Sequence, residues 1–174
     1  SDDVFLCTDA TFLCQRLTVG TRWMLAQYLS SKERELLAGA WGTLFERAMT
    51  RRLHPALKSA YIPHPSSSDG EVTDALVDYG EELSLIEFKA ITLREDTKHG
   101  ADGGTLLREL RSKLLKVKDG KEPQIVRALR GLHTAGFFRA RRSLPRVLYP
   151  VIVSLDPAAC GPLLAPLLNK TLSA

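Results

Sequence analysis

Two short apolar runs around a glycine-containing turn constrain this chain more than any other feature. Val72–Tyr79 and Leu83–Ala90 flank Gly80-Glu81-Glu82, a connection of hairpin length. In the second run Leu83, Leu85, Ile86 and Phe88 put apolar side chains on both faces, the pattern of a strand covered on both sides. Glu87 and Lys89 interrupt it. Side chains two apart on a strand share a face, so these two point one way and Ile86 and Phe88 the other. Asp74, thirteen positions before Glu87, reaches the same end of the sheet if the register matches. Asp78 competes with it on the same strand face but stands beside the turn, so Asp74 is preferred. The plain reading of a Glu-x-Lys pair is a solvated strand face. The apolar flanks argue otherwise, because a charged pair inside such a run needs a partner or a function. Two carboxylates and an ammonium at one strand end are costly for stability alone and suit a divalent metal with an activated water.

The rest of the chain reads as α, then β, then α, then β. A short helix is expected over Thr21–Leu29. Ser30-Ser31-Lys32-Glu33 fits a capping box that opens a long helix through Leu53, with Leu37, Trp41, Leu44, Phe45, Ala48 and Leu53 inward. His54-Pro55 is its expected stop, because the residue before proline disfavours helical geometry. A strand is expected at Tyr61–His64, a loop at Pro65–Gly70 and a mobile segment at Gly100–Gly104. Leu107, Leu110, Leu114 and Val117 recur at helical spacing. A second helix follows from Pro123 to Gly136, with Ile125, Val126, Leu129 and Leu132 as its apolar side. Val147–Ser154 reads as a strand that Pro150 assigns to an edge or a bulge, and a last helix is expected over Pro157–Leu172.

At 174 residues, with 44% hydrophobic and 25% charged residues, the chain has the size and composition of one globular domain. No run approaches a membrane span. The opening Ser1-Asp2-Asp3 reads either as an artificial boundary or as the start of a module cut from a longer chain with further domains. Cys7, Cys14 and Cys160 show no metal or disulfide spacing. They read as small apolar residues in a reducing intracellular compartment, cytoplasm or nucleus. His54, His64, His99 and His133 lack ligand spacing, and no phosphate-binding glycine loop is present.

Charge is unevenly placed. The net charge is +4, yet Arg108–Arg146 carries twelve basic against three acidic residues, the footprint of a phosphate-backbone binder. Its nucleic-acid-binding candidates are Lys113, Lys116, Arg127, Arg130, Arg139, Arg141 and Arg142. Phosphate contacts give affinity without sequence choice, and nothing here names a base-reading residue.

Glu46 in Gly42-Thr-Leu-Phe-Glu46, Asp74, and Glu87-Phe88-Lys89, in this order of elements, resemble the PD-(D/E)xK nuclease superfamily over roughly residues 33–155. Thr73 stands where the superfamily has its leading proline. Gln124 is followed four positions on by Ala128, so the Gln-x-x-x-Tyr variant is unmatched. The resemblance implies an α/β, restriction-endonuclease-like core: a central mixed sheet flanked by helices in αβββαβ order. It would occupy residues 30–174, with 1–29 as an N-terminal extension or the end of a preceding region. It further implies a catalytic set of Glu46, Asp74, Glu87 and Lys89. Asp74 and Glu87 would ligate Mg²⁺, with Mn²⁺ able to substitute. The Phe88 carbonyl and waters would complete the shell, and Glu46 would serve a second metal or its waters. Lys89 would hold the attacking water or the developing charge. The expected substrate is DNA, leaving 5′-phosphate and 3′-hydroxyl ends, and a homodimer is compatible with this reading. The alternatives are a ribonuclease, or an inactive nucleic-acid-binding or protein-interaction module of the same fold.

Overall fold

The computed structural model describes residues 16–67, 70–94, 96–97, 100, 102–114, 124–134 and 145–156. The chain divides into two compact units at Trp41 and Gly42. In the first, a π-helical turn at Arg16–Gly20 leads into helix α1 (Thr21–Gln27). Helix α2 (Ser31–Leu57) follows and runs on into the second unit from Gly42, and the Arg22 guanidinium lies 5.9 Å from the centroid of the Trp41 ring. The expected capping box is formed. Ser30 N–H donates to Glu33 Oε2 at 2.8 Å, and Glu33 N–H to Ser30 Oγ at 3.4 Å. These reciprocal bonds satisfy donors that a helix start otherwise leaves orphaned.

The second unit holds the sheet. After a 3₁₀ turn (Lys58–Ala60) come β1 (Tyr61–Pro63), β2 (Ser66–Ser67), β3 (Gly70–Glu71), β4 (Ala75–Asp78) and β5 (Glu82–Lys89). Helices α3 (Gly103–Leu114) and α4 (Gln124–Thr134) precede β6 (Val147–Ser154). The main sheet has the order β1-β4-β5-β6. Its first three strands are antiparallel, and β6 runs parallel to β5. The protein is thus mixed α/β, with a four-stranded mixed sheet. Among the described residues, no helix is long and apolar enough to cross a membrane.

Period-two alternation divides the core into layers. Ile86 and Phe88 of β5 join Tyr61, Ala75 and Val77 on the face that packs against Phe45, Met49, Leu53 and Leu57 of α2. Phe45 meets Phe88 edge-on, 6.3 Å between ring centroids. Leu83 and Leu85 join Leu76 on the opposite face, under Ile125, Ala128 and Leu132 of α4. Leu110 and Leu114 of α3 pack with Leu93 and, from β6, Ile152. Asp102 starts α3 by accepting the Gly104 and Thr105 N–H groups at 3.0 and 3.1 Å, which are N-cap bonds.

Several expectations are corrected. Helix α2 passes Pro55 and ends at Leu57. Proline's fixed φ suits a helix and its missing N–H removes one bond, while Leu53 and Leu57, one turn apart, both pack on the sheet. The inward stripe on this part of α2 is Phe45-Met49-Leu53-Leu57. Leu44, 60% exposed, and Ala48, also exposed, lie off it, so leucine content misplaced the stripe. Part of the expected loop at Pro65–Gly70 is a ribbon, with Ser66 opposite Glu71 and Ser67 opposite Gly70. In α4, Ala128 is buried while Val126 and Leu129 are only partly so. Val117, the ends expected at Pro123 and Gly136, and the C-terminal helix lie outside the described residues.

Strand β6 spans the expected residues at a sheet edge. Pro63 in β1 and Pro150 in β6 put a proline in each of the two edge strands. Leu85→Ala should lower unfolding free energy by about 2–5 kcal/mol through a core cavity. Leu44→Ala should stay within about 0.5 kcal/mol. Urea denaturation followed by circular dichroism measures both, and equal losses would contradict the layer assignment.

Candidate active site

The β4–β5 register pairs Ala75 with Ile86, Leu76 with Leu85 and Asp78 with Leu83. One step beyond the first pair, Asp74 comes opposite Glu87. Directly opposed residues share a face of the sheet, so Asp74, Glu87 and Lys89 lie on the face that carries Leu83 and Leu85. On the other side, β6 sets Ile152 beside Glu87 and Ser154 beside Lys89.

Two side-chain bonds tie the start of β4 to this part of β5. Asp74 Oδ2 accepts the Phe88 N–H at 2.6 Å. The buried Thr73 hydroxyl donates to the Ile86 carbonyl at 2.8 Å, a bond that proline at this position could not make. The Gly80 turn closes the other end. Gly80 takes φ +83°, a conformation glycine enters without a Cβ penalty, and its N–H donates to Asp78 Oδ1 at 2.8 Å. Asp78 is thereby a turn residue.

Glu87 is 1% exposed and Lys89 6%. Lys89 Nζ donates to Glu87 Oε2 at 3.1 Å, while Glu87 Oε1 is buried with no hydrogen-bond partner among the described residues. Burial lifts the Glu87 carboxyl above the ordinary glutamate range. The Lys89 ammonium pulls it down, the Asp74 charge adds to the lift, and the Thr73 hydroxyl opposes it, leaving the carboxyl raised. A buried carboxylate oxygen without a partner costs on the order of 1–3 kcal/mol or more, and pairing with one ammonium offsets desolvation only in part. Such perturbed groups mark functional-site candidates.

The remaining sequence candidates fall elsewhere. Glu46 lies on α2, the helix on the opposite face of the sheet, and its Oε1 is 3.3 Å from His64 Nε2. Among the described residues no three His, Cys, Asp or Glu side chains are grouped to hold a metal ion, so Glu46 does not complete a three-ligand cluster with Asp74 and Glu87. Lys113 is engaged internally, donating to the Thr92 carbonyl at 2.7 Å and pairing with Glu109 at 2.5 Å. Arg127 and Arg130 are exposed on α4. Lys116, Arg139, Arg141 and Arg142 lie outside the described residues.

The structure adds a clamp on the segment after Lys89. Buried Asp156 accepts the Leu93 N–H at 2.7 Å, Glu109 Oε1 accepts the Arg94 N–H at 3.1 Å, and Leu155 N–H donates to the Lys89 carbonyl at 3.1 Å. Asp156 and Leu93 are 63 positions apart, so local pattern could not pair them. The one local signal was the Glu109–Lys113 spacing of four. Comparisons with models of protein families, with curated proteins and with solved structures find no match.

Burial raises the pKa of Glu109, but hydrogen bonds from Lys113, Thr97 and Arg94 outweigh it and hold the carboxyl below its ordinary value. A depressed folded-state pKa stabilises above the unfolded-state value and is lost as pH falls through the folded one. Glu109→Gln should therefore cost about 1–3 kcal/mol at neutral pH, with the gap to the parent narrowing in acid. Chemical denaturation across that range measures it, and a gap independent of pH would contradict the clamp's ionic character.

Proposed function

We propose that this chain is a metal-dependent nuclease domain of restriction-endonuclease-like fold that hydrolyses phosphodiester bonds, with DNA the favoured substrate. The observation that carries the reading is the meeting of Asp74, Glu87 and Lys89 on one face at the end of β5, with the Glu87 Oε1 oxygen buried and without a partner among the described residues. The order of elements supports it too: helix, three sheet strands, helices, then a fourth strand parallel to the third.

The donor set fits a hard divalent cation. Asp74 and Glu87 offer two carboxylates, and Mg²⁺ commonly binds through one or two carboxylates while keeping several waters. A cation would also relieve the charge that Asp74 and Glu87 impose on each other. Bound there, Mg²⁺ supplies a more acidic water and neutralises charge on the scissile phosphate. Lys89, next to Glu87 and fixed by the clamp behind it, would donate to the attacking water or to a phosphate oxygen. The burial of Glu87 and Lys89 would keep these charges poorly screened and so strengthen them.

A second reading is a nucleic-acid-binding module of the same fold that does not cut. It is favoured by the Lys89–Glu87 pair, closed on itself at 3.1 Å, and by the pairing of Glu46 with His64.

The test is cleavage of linear duplex, single-stranded DNA and RNA with Mg²⁺, Mn²⁺ or EDTA, beside Asp74→Asn and Lys89→Ala whose folding is checked by thermal melting. Cutting should require metal and fall at least about 100-fold in either folded variant. Nucleic acid bound but never cut would establish the second reading, and preference for RNA would make the domain a ribonuclease.

A further inference from the structure

A separate cationic feature lies where α2 passes the end of β1. Arg47, Thr50 and Arg51 of α2, with Glu46 and His64, line an open cleft of about 450 Å³. Arg47 and Arg51 are four positions apart, so they neighbour each other on the helix surface and repel. Both are exposed, and among the described residues neither has an ion-pair partner. Among the described residues the one carboxylate in the lining is Glu46, whose Oε1 lies 3.3 Å from His64 Nε2. Among the described residues the cleft thus presents two guanidiniums and a hydroxyl, beside an imidazole paired with its single acidic group.

The site is built rather than incidental to a helix surface. His64 holds φ +45°, a left-handed conformation uncommon for a residue with a Cβ. Its N–H donates to the Asp74 carbonyl at 3.0 Å. Thr50 Oγ1 lies 3.2 Å from the hydroxyl of buried Tyr61. The wall of the cleft is thus tied through one backbone hydrogen bond to the residue that leads into the candidate active site.

We propose that this cleft binds a backbone phosphodiester of the polynucleotide, next to the one presented to Asp74 and Glu87. The proposal rests on the nuclease reading for the identity of the polymer. Planar guanidinium forks match phosphate oxygens in bidentate fashion, and a cleft open to solvent admits a polymer where an enclosed pocket would admit only a small anion. Because α2 and Glu87 lie on opposite faces of the sheet, the strand would cross the sheet's end, where β1 finishes and β4 begins.

The test uses the whole chain in EDTA, so that binding is read without cleavage, with a fluorescein-labelled single-stranded 20-mer and its duplex followed by anisotropy across salt concentrations. Arg47→Ala/Arg51→Ala should weaken binding about 10-fold and flatten the salt dependence by about one to two counterions. Arg34→Ala/Arg146→Ala removes the same charge elsewhere and should stay within about twofold. Arg47→Lys/Arg51→Lys should recover the salt slope and only part of the affinity. Binding and slope unchanged in the alanine pair would overturn the proposal. So would loss of inorganic phosphate binding, read by calorimetry, with DNA binding intact, since the cleft would then serve a free anion. A chain that binds DNA through these arginines and never cuts would remove the nuclease reading and leave the cleft standing.

Discussion

The pairing of β4 with β5 in the register Ala75–Ile86 decides which side chains meet in this molecule. A slip of one residue would turn every side chain of one strand to the other face. Asp74 would then stand with Ile86 and Phe88 under α2, and Glu87 would keep company with Lys89 alone. The two-sided apolar pattern of β5 makes such a slip costly, because Leu83 and Leu85 are matched to α4 and Ile86 and Phe88 to α2. The bonds from Thr73 to Ile86 and from Phe88 to Asp74 add a lock outside the regular ladder. They sit where the two carboxylates must align, so the device that sets the register also positions the charges.

The cost of this arrangement is concentrated at Glu87. On its strand face it stands between Leu85 and Lys89; the ammonium satisfies one oxygen, and the other has no hydrogen-bond partner among the described residues. The surroundings are built to tolerate this. The segment after Lys89 is held from three directions, by Asp156, Glu109 and the backbone of Leu155. A buried ion pair can persist where its supports are over-determined.

Much of the local order could be read from the chain. The hairpin, the capping box, the edge placement of β6 and the division of Glu87 and Lys89 from Ile86 and Phe88 follow from spacing and turn chemistry, because each is decided within a few residues. What escaped depends on distant partners. Pro55 does not stop α2, because packing of Leu53 and Leu57 on the sheet outweighs one lost hydrogen bond. Leu44 and Ala48 lie exposed; apolar identity does not reveal which flank of a long helix meets the sheet. Arg47 and Arg51 stood in plain view as a spaced pair, but nothing in sequence order brings His64 to face them. The segment of highest basic density lies largely outside the described residues, while Lys113 proves to be part of a scaffold.

The two prolines at the margins of the sheet have a bearing on how the molecule behaves in company. A sheet whose outer strands carry intact rows of donors can be lengthened by any extended chain that meets it, and Val147, Leu148 and Tyr149 would make such an encounter attractive. Pro63 breaks the row on one margin and Pro150 on the other, and a missing donor in a strand of three or eight residues leaves little uninterrupted track for a newcomer. Among the described residues, each border of the four-stranded sheet thus carries one interruption to the addition of a further strand.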